Sequence, residues 1–132
     1  MPKAKRIVVA DDNDLMRRLL KASLASGGYD VITAANGIEA VARMRDSTAD
    51  LVLMDLHMPE LDGMGALRQM LQDPLLKGIP VLAITAFFHP EGRDQALAAG
   101  FSGYLTKPIN RDMLLQEVAR WLNPSGKEAK SS

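Results

Sequence analysis

Residues 51–55 read LVLMD, four consecutive apolar residues followed by a carboxylate. Two further unbroken apolar runs lie at 7–10 and 81–84, and weaker runs lie at 31–33 and 103–105. Unbroken runs of this length are typical of parallel strands that helices cover on both faces of a sheet. The pattern therefore predicts five strands, with the two weaker runs nearer the edges of the sheet.

Helical patterns lie between these runs, and several of them place apolar residues on one face. The predicted apolar faces are Leu15, Leu19 and Ala22; Ile38, Val41 and Ala42; and Leu114, Val118, Trp121 and Leu122. Gly27 and Gly28 predict the end of the first helix. Asn36 with Glu39 resembles a capping pair at the start of the second helix, and Asn110 can cap the last one.

Strand and helix patterns alternate along the chain with short connections. This alternation predicts an α/β fold of the (βα)5 type, a doubly wound five-stranded parallel sheet with helices on both faces. By analogy with flavodoxin, we expect the strand order 2-1-3-4-5. We also expect one domain over residues 5–123, followed by a polar, disordered tail at 124–132.

The composition is that of one globular domain and excludes several kinds of site. The chain has 132 residues, of which 47% are hydrophobic and 24% charged, and no cysteine, which removes disulfides and thiolate chemistry. Sixteen basic residues balance sixteen acidic ones, and Arg17, Arg18 and Lys21 form only a small basic patch, so we expect no nucleic-acid binding. No run reaches membrane-spanning length, and we expect a cytoplasmic protein without membrane partners.

Polar residues stand at the carboxyl ends of four predicted strands. Asp11 and Asp12 follow the first strand and Asp55 follows the third, while Thr85 follows the fourth and Lys107 the fifth. In open α/β sheets, ligands bind at this edge, where the strand order reverses. We therefore expect three carboxylates, one hydroxyl and one ammonium group to converge on a single crevice.

Converging carboxylates repel one another unless a cation compensates their charge. Mg²⁺ suits such a site, because it is a hard ion that accepts carboxylates, keeps several waters and shares its remaining positions with phosphate oxygens. An Asp oxygen can then attack a phosphoryl group. The metal and Lys107 would neutralise the phosphoryl oxygens, while the Thr85 hydroxyl and nearby backbone N–H groups would donate hydrogen bonds.

Four segments, in this order, resemble those of response-regulator receiver domains in two-component signalling. They are residues 9–13, 53–63, 84–86 and 103–108, and the resemblance extends from about residue 6 to residue 122. It implies a stand-alone single-domain response regulator. In such a protein, Asp55 would accept a phosphoryl group from a phosphohistidine on a sensor histidine kinase or a phosphotransfer protein.

The resemblance also implies which groups hold the metal. Mg²⁺ would be bound by Asp11, Asp12, Asp55 and the backbone carbonyl of His57. Without that context, Asp11 and Asp12 could simply be acids before a helix, where acids are favoured. His57 and His89 are the chain's two histidines, and two histidines on separate loops do not predict a zinc or iron site.

By the same resemblance, other residues contact the phosphoryl group or respond to it. Thr85, the backbone of Ala86 and Lys107 would contact it, and the Lys107–Pro108 peptide bond would be cis. Thr85 and Tyr104 match the pair that changes on activation in the family. The alternative for Tyr104 is ordinary packing at a sheet edge.

The expected output is a change on the surface formed by the fourth helix, fifth strand and fifth helix, read by a downstream protein. Phe88, His89, Tyr104 and Arg111 are predicted to lie there. One of Phe87 and Phe88 either packs under the fourth helix or is exposed, at the mouth of the site or on the surface that the partner reads. We expect a monomer or a weak, phosphorylation-dependent dimer.

Other functions remain open at this stage. Within the same class, the chain could be a phosphate shuttle or sink, or a receiver cut from a hybrid kinase. A phosphatase with an Asp nucleophile typically has a second Asp two residues later, where this chain has His57. A flavin site needs a phosphate-binding loop, but residues 11–14 carry three acids. We therefore expect no enzyme activity beyond the domain's own phosphorylation and dephosphorylation.

Overall fold

The structure is a computed structural model that describes residues 4–86 and 89–122. Strands and helices alternate along these residues. The predicted roles of Phe87 and Phe88, and the predicted tail at 124–132, lie outside these residues. In chain order, the elements are β1 Arg6–Ala10, α1 Asp14–Ser26, β2 Asp30–Ala34, α2 Gly37–Ser47, β3 Leu51–Asp55, α3 Gly63–Leu71, β4 Val81–Thr85, α4 Pro90–Ala99, β5 Gly103–Thr106 and α5 Arg111–Leu122.

The strands form one parallel sheet in the order β2-β1-β3-β4-β5, which confirms the predicted fold class and strand order. Every residue of β3 and β4 is buried, whereas β2 and β5, at the edges, are largely half-buried. The register pairs Ala10 with Met54. The residue that follows each of these two is an acid, so the register itself brings Asp11 and Asp55 side by side.

Helices cover both faces of the sheet. Alternate strand residues point to opposite faces, so each strand contributes side chains to two separate cores. Ile7 and Val9 belong to a core that includes Leu24 of α1 and Val118 of α5. Val8 belongs to the other core, which α2, α3 and α4 complete. Within the described residues, no helix is long and apolar enough to cross a bilayer.

The predicted apolar face of α1 is wrong. Leu15 and Leu19 are 65% and 53% exposed, whereas Leu20 and Leu24 are buried against the sheet. The helix carries two interleaved apolar stripes, offset by one residue. Only the packing of α1 on the sheet decides which of them faces inward, and helical periodicity fits both stripes.

The predicted face of α2 is correct only at Val41. Ile38 is 56% exposed and Ala42 is exposed, while Ala40 and Met44 join Val41 in the core. On α5, the predicted stripe is confirmed, with its aliphatic members buried and its tryptophan half-buried.

The predicted helix ends are confirmed where they are described. Asn36 accepts a hydrogen bond from Glu39 N (2.9 Å), and the Glu39 carboxylate accepts one from Ala35 N (2.9 Å). Asn110 accepts from the first turn of α5 in the same way. Beyond α1, Gly28 has φ of 91°, a left-handed conformation that glycine adopts without strain.

Candidate functional site

The turn between β1 and α1 holds one acid rigidly and leaves the next one open. Asp11 is fully buried, its N–H donates to Ala34 O (3.1 Å), and its Oδ1 accepts from Asn13 N (2.9 Å). Asn13 in turn caps α1 by accepting from the Met16 N–H. Asp12, between them, is exposed. The turn therefore fixes Asp11 and presents Asp12 to solvent.

Asp55 is the last residue of β3 and is only 4% exposed. Its Oδ1 accepts a hydrogen bond from His57 N (2.9 Å), and its Oδ2 accepts one from Lys107 Nζ (3.0 Å). The His57 contact makes the backbone turn immediately after the strand. Asp55 is thus held at both oxygens at the carboxyl edge of the sheet.

Lys107 bridges two of the acids. Its Nζ lies 2.8 Å from Asp11 Oδ2 and 3.0 Å from Asp55 Oδ2. The Lys107 N–H donates to Thr85 O (2.8 Å), which ties the start of the β5–α5 loop to the end of β4. The Lys107–Pro108 peptide bond is cis. The structure therefore brings together Asp11, Asp55 and Lys107, which sequence reasoning placed on separate strands.

Burial and charge shift two of these groups in the same direction. Burial raises the pKa of Asp55 above its ordinary value, and the hydrogen bonds from His57 and Lys107 offset only part of that effect. Burial alone would lower the pKa of Lys107, but hydrogen bonds to Asp11 and Asp55 outweigh it, and the pKa is raised. The ammonium group is therefore firmly charged, while ionisation of Asp55 is opposed.

The acids suit a hard metal ion. Asp11, Asp12 and Asp55 each offer a carboxylate oxygen, and these oxygens all lie within 4.8 Å of one another. Three carboxylates face one lysine, so negative charge remains uncompensated, and oxygen donors are those that Mg²⁺ prefers. Beside Asp12, an open cleft of about 470 Å³ is lined by residues that include His57 and Asp62. This cleft leaves Asp12 accessible to a small ion or phosphate.

Thr85 and Tyr104 border a cleft beside the one at Asp12. Thr85 ends β4 and is 1% exposed, and Ala86 follows it at the surface. Thr85, Tyr104, His57 and His89 all line an open cleft of about 430 Å³. Thr85 and Tyr104 therefore line one cleft, and their role as a pair that changes on activation stays a prediction.

Two arginines make contacts that the sequence did not indicate. Arg111, expected on the surface of α4, β5 and α5, is exposed at the start of α5 and directs its Nη1 to Ser26 Oγ at the end of α1, 3.4 Å away. Arg17, taken for part of a basic patch, donates to the backbone carbonyl of Asp11 (2.7 Å) and to Asp14 (3.0 Å). No sequence motif indicated the Arg17 contact, because it depends on how α1 leaves the turn.

Comparison with protein families gives a match over most of the chain. The model of the response regulator receiver domain matches residues 7–119. The polar-differentiation response regulator DivK of Brucella anthropi is 31% identical over 122 residues, which is 92% of this chain and 98% of DivK. The response regulator PleD of Caulobacter vibrioides is 41% identical over 113 residues, which is 86% of this chain and 25% of PleD.

Solved structures show the same similarity. The chemotaxis protein CheY4 of Vibrio cholerae superimposes with a TM-score of 0.85 at 30% identity, covering 89% of this chain and 98% of that one. The receiver domain of a sensor histidine kinase from Pseudomonas aeruginosa gives a TM-score of 0.83 at 34% identity, covering 89% and 97%. In that receiver domain, a magnesium ion is coordinated in the active site cleft.

Proposed function

The chain belongs to the response regulator receiver domain family of two-component signalling, and on that premise we propose that Asp55 is its phosphoacceptor. The phosphoryl group comes from a phosphohistidine on a sensor histidine kinase or a phosphotransfer protein. The observation that carries the proposal is the position of Asp55. It ends β3 next to a buried acid, and one of its oxygens is 3.0 Å from Lys107 Nζ.

Asp11, Asp12, Asp55 and the backbone carbonyl of His57 would hold Mg²⁺. When bound, the ion supplies positive charge that lets carboxylates and phosphoryl oxygens share one site. The clustered oxygens of the three acids, and the magnesium in the Pseudomonas aeruginosa receiver domain, support this assignment.

The residues of the chain perform a simple transfer. A carboxylate oxygen of Asp55 attacks the phosphorus atom, a P–O bond forms, and the P–N bond to the donor's imidazole breaks with its electron pair on nitrogen. Lys107 neutralises a phosphoryl oxygen, and the Thr85 hydroxyl and the Ala86 N–H donate hydrogen bonds to others. The domain modifies itself and turns over no separate substrate, so its role is signalling rather than metabolic catalysis.

Labelling tests this proposal. The intact chain, incubated with acetyl phosphate and Mg²⁺, should gain one phosphoryl group by mass spectrometry. Asp55→Asn should abolish the gain, whereas Asp50→Asn, the same change at the residue just before β3, should leave it intact. Equal labelling of the Asp55→Asn variant would contradict Asp55 as the phosphoacceptor. Labelling of the wild type without a divalent ion would contradict the proposed role of Mg²⁺.

The output follows from Thr85 and Tyr104. When a phosphoryl oxygen draws the Thr85 hydroxyl inward, space opens that the Tyr104 ring can occupy, and the surface of α4, β5 and α5 changes. Between α4 and α5, a groove of about 270 Å³ at the edge of β5 is lined by residues that include Arg93, Leu97 and Trp121. The groove supports the proposal that a protein partner binds the surface of α4, β5 and α5.

Backbone amide shifts test the output. Beryllofluoride, a phosphoryl mimic, should shift amides of α4 and β5 more than those of α2. In Thr85→Ala, these shifts should shrink, while Thr106→Ala, the same change at an exposed position of the neighbouring strand, should respond like the wild type. If α2 shifts as much as α4, the output surface is wrong. If Thr85→Ala responds fully, the coupling is wrong.

A further inference from the structure

Arg17 reaches back from α1 to the turn that carries two of the site's acids. Its Nη1 donates to the backbone carbonyl of Asp11 at 2.7 Å, and its Nη2 donates to Asp14 Oδ1 at 3.0 Å. The side chain is 19% exposed, so this contact is partly shielded from water. A planar guanidinium group can make both bonds at once, whereas an ammonium group on a flexible stem cannot match that geometry.

The other polar groups of Asp11 contact three different parts of the chain. Its N–H donates to Ala34 O, its Oδ1 accepts from Asn13 N, and its Oδ2 faces Lys107. Its carbonyl is held by a side chain one helical turn further along, that of Arg17. The peptide plane between Asp11 and Asp12 contains this carbonyl, so the bond from Arg17 fixes the plane from which the Asp12 side chain departs.

From these contacts we infer that Arg17 is a positioning residue, which holds the β1–α1 turn so that Asp12 joins Asp11 and Asp55 in binding Mg²⁺. The inference rests on the proposed function. Partners that orient metal ligands from outside the coordination shell typically contribute about 10- to 100-fold in metal affinity. Arg17 occupies that place relative to the acids, one hydrogen bond away from the backbone that carries them.

Simple electrostatics predicts the opposite effect, which makes the inference testable. Arg17 is a cation near an acidic site, so its charge alone disfavours Mg²⁺, and removing it should tighten binding. A loss of affinity on removing Arg17 must therefore come from lost positioning rather than from lost charge.

The chain offers a matched control in the adjacent residue. Arg18 lies on the same helix and pairs with the same acid, Asp14, at 3.0 Å. Its side chain is 76% exposed, and among the described residues no hydrogen bond joins it to the turn. Arg18→Met therefore removes the same charge and the same ion-pair partner, and spares the carbonyl of Asp11.

The experiment titrates Mg²⁺ alone into the metal-free full chain by calorimetry. Arg17→Met should weaken binding about tenfold, and Arg17→Lys, whose ammonium group can still donate one hydrogen bond to the Asp11 carbonyl, should lose less. Arg18→Met should bind as tightly as the wild type or slightly more tightly. In the metal-free proteins, the Asn13 amide should exchange its hydrogen faster in Arg17→Met than in Arg18→Met, which reports the turn directly without the metal.

Unchanged or tighter binding in Arg17→Met would overturn the inference, and so would equal losses in the two methionine variants. Weaker binding with an unaltered exchange rate at Asn13 would overturn it as well, because the turn would then be intact. Asp12→Asn, titrated in parallel, distinguishes a failure of the proposed metal site from a failure of the role of Arg17. If that variant also keeps its affinity, the proposed metal site itself fails; if it loses affinity while Arg17→Met does not, only the role of Arg17 fails.

Discussion

The two ends of the sheet both carry aspartates around a basic residue, but the charged side chains differ in their exposure to water. At the carboxyl end, Asp11 is 0% exposed, Asp55 6% and Lys107 15% in their side chains. At the amino end, the ion pair of Arg6 with Asp30, at 2.9 Å, leaves the two side chains 38% and 49% exposed. One cluster is withdrawn from water, and the other is largely solvated.

This difference separates a structural contact from a functional one. Exposed ion pairs contribute little to stability, because water and salt screen them. At the amino end, Arg6 also donates to Ser47 O and its backbone N–H donates to Asp50, so the cluster ties β1 to its neighbours. Buried acids that outnumber their base are costly, and such groups are found where binding or chemistry requires them.

The largest expected contrast between the two ends is in metal affinity. Asp12→Asn removes one of the clustered oxygens and should weaken Mg²⁺ binding by about tenfold or more, since loss of outer-shell partners alone has effects of that size. Asp30→Asn makes the same change at the amino end and should leave the affinity nearly unchanged. Calorimetric titration with Mg²⁺ measures both. Equal losses would mean that the protein's overall charge, rather than the site, attracts the ion.

Without metal, substitutions at the two ends of the sheet should change the free energy of unfolding in opposite directions. Asp55→Asn removes a buried charge that its surroundings oppose, so the free energy of unfolding should rise by about 1 kcal/mol. Asp30→Asn removes an exposed pair and should lower it by at most about 0.5 kcal/mol. Urea unfolding in a chelator measures the two changes. A destabilised Asp55→Asn variant would show that the site's charges are balanced by Lys107 after all.

The increase in the free energy of unfolding that Asp55→Asn causes should depend on pH. Because the pKa of Asp55 is raised by folding, the native state holds its proton more strongly than the unfolded state. The ionised form therefore opposes folding above the native pKa, and the penalty disappears below the ordinary value of 3.8. The stability difference from wild type should be present at neutral pH and shrink as the pH falls toward that value. A constant difference would assign it to packing instead of charge.

The smallest effect is expected at the amino end. Thr48, in the α2–β3 loop, has φ of 56°, a left-handed conformation that costs a β-branched residue roughly 1–2 kcal/mol. Thr48→Gly should relieve this strain and, after the entropy cost of glycine, stabilise the fold by about 0.5 kcal/mol. Mg²⁺ affinity should stay the same. A change in affinity would show that the two ends of the sheet are energetically coupled.

The sequence predicted the carboxyl end of the sheet better than the helices that cover it. Apolar runs locate β1 and β3, and strand order and register then force Asp11 and Asp55 together whatever the helices do. On α1, two apolar stripes offset by one residue fit the same periodicity, and the stripe chosen, with Leu15 and Leu19, is the exposed one. The phase of a helix is set by packing, which pattern alone does not contain.

Long side chains were also beyond sequence reasoning. Arg17 looks like its neighbour Arg18 in the sequence, yet one bonds the Asp11 carbonyl and the other is 76% exposed. The contact of Arg111 with Ser26 was likewise not indicated by the sequence, because it depends on how α1 and α5 pack. Residues at strand ends are fixed by topology, whereas the ends of flexible side chains are fixed by packing.

The position of the phosphoryl group is the most direct test of the central claim. Borohydride reduces an aspartyl phosphate to homoserine, so the acceptor can be identified by peptide mass spectrometry after labelling in the presence of Mg²⁺. We expect homoserine at position 55 and an unmodified aspartate at Asp11, Asp12 and Asp30. Homoserine at any of those three positions, with Asp55 intact, would contradict the account.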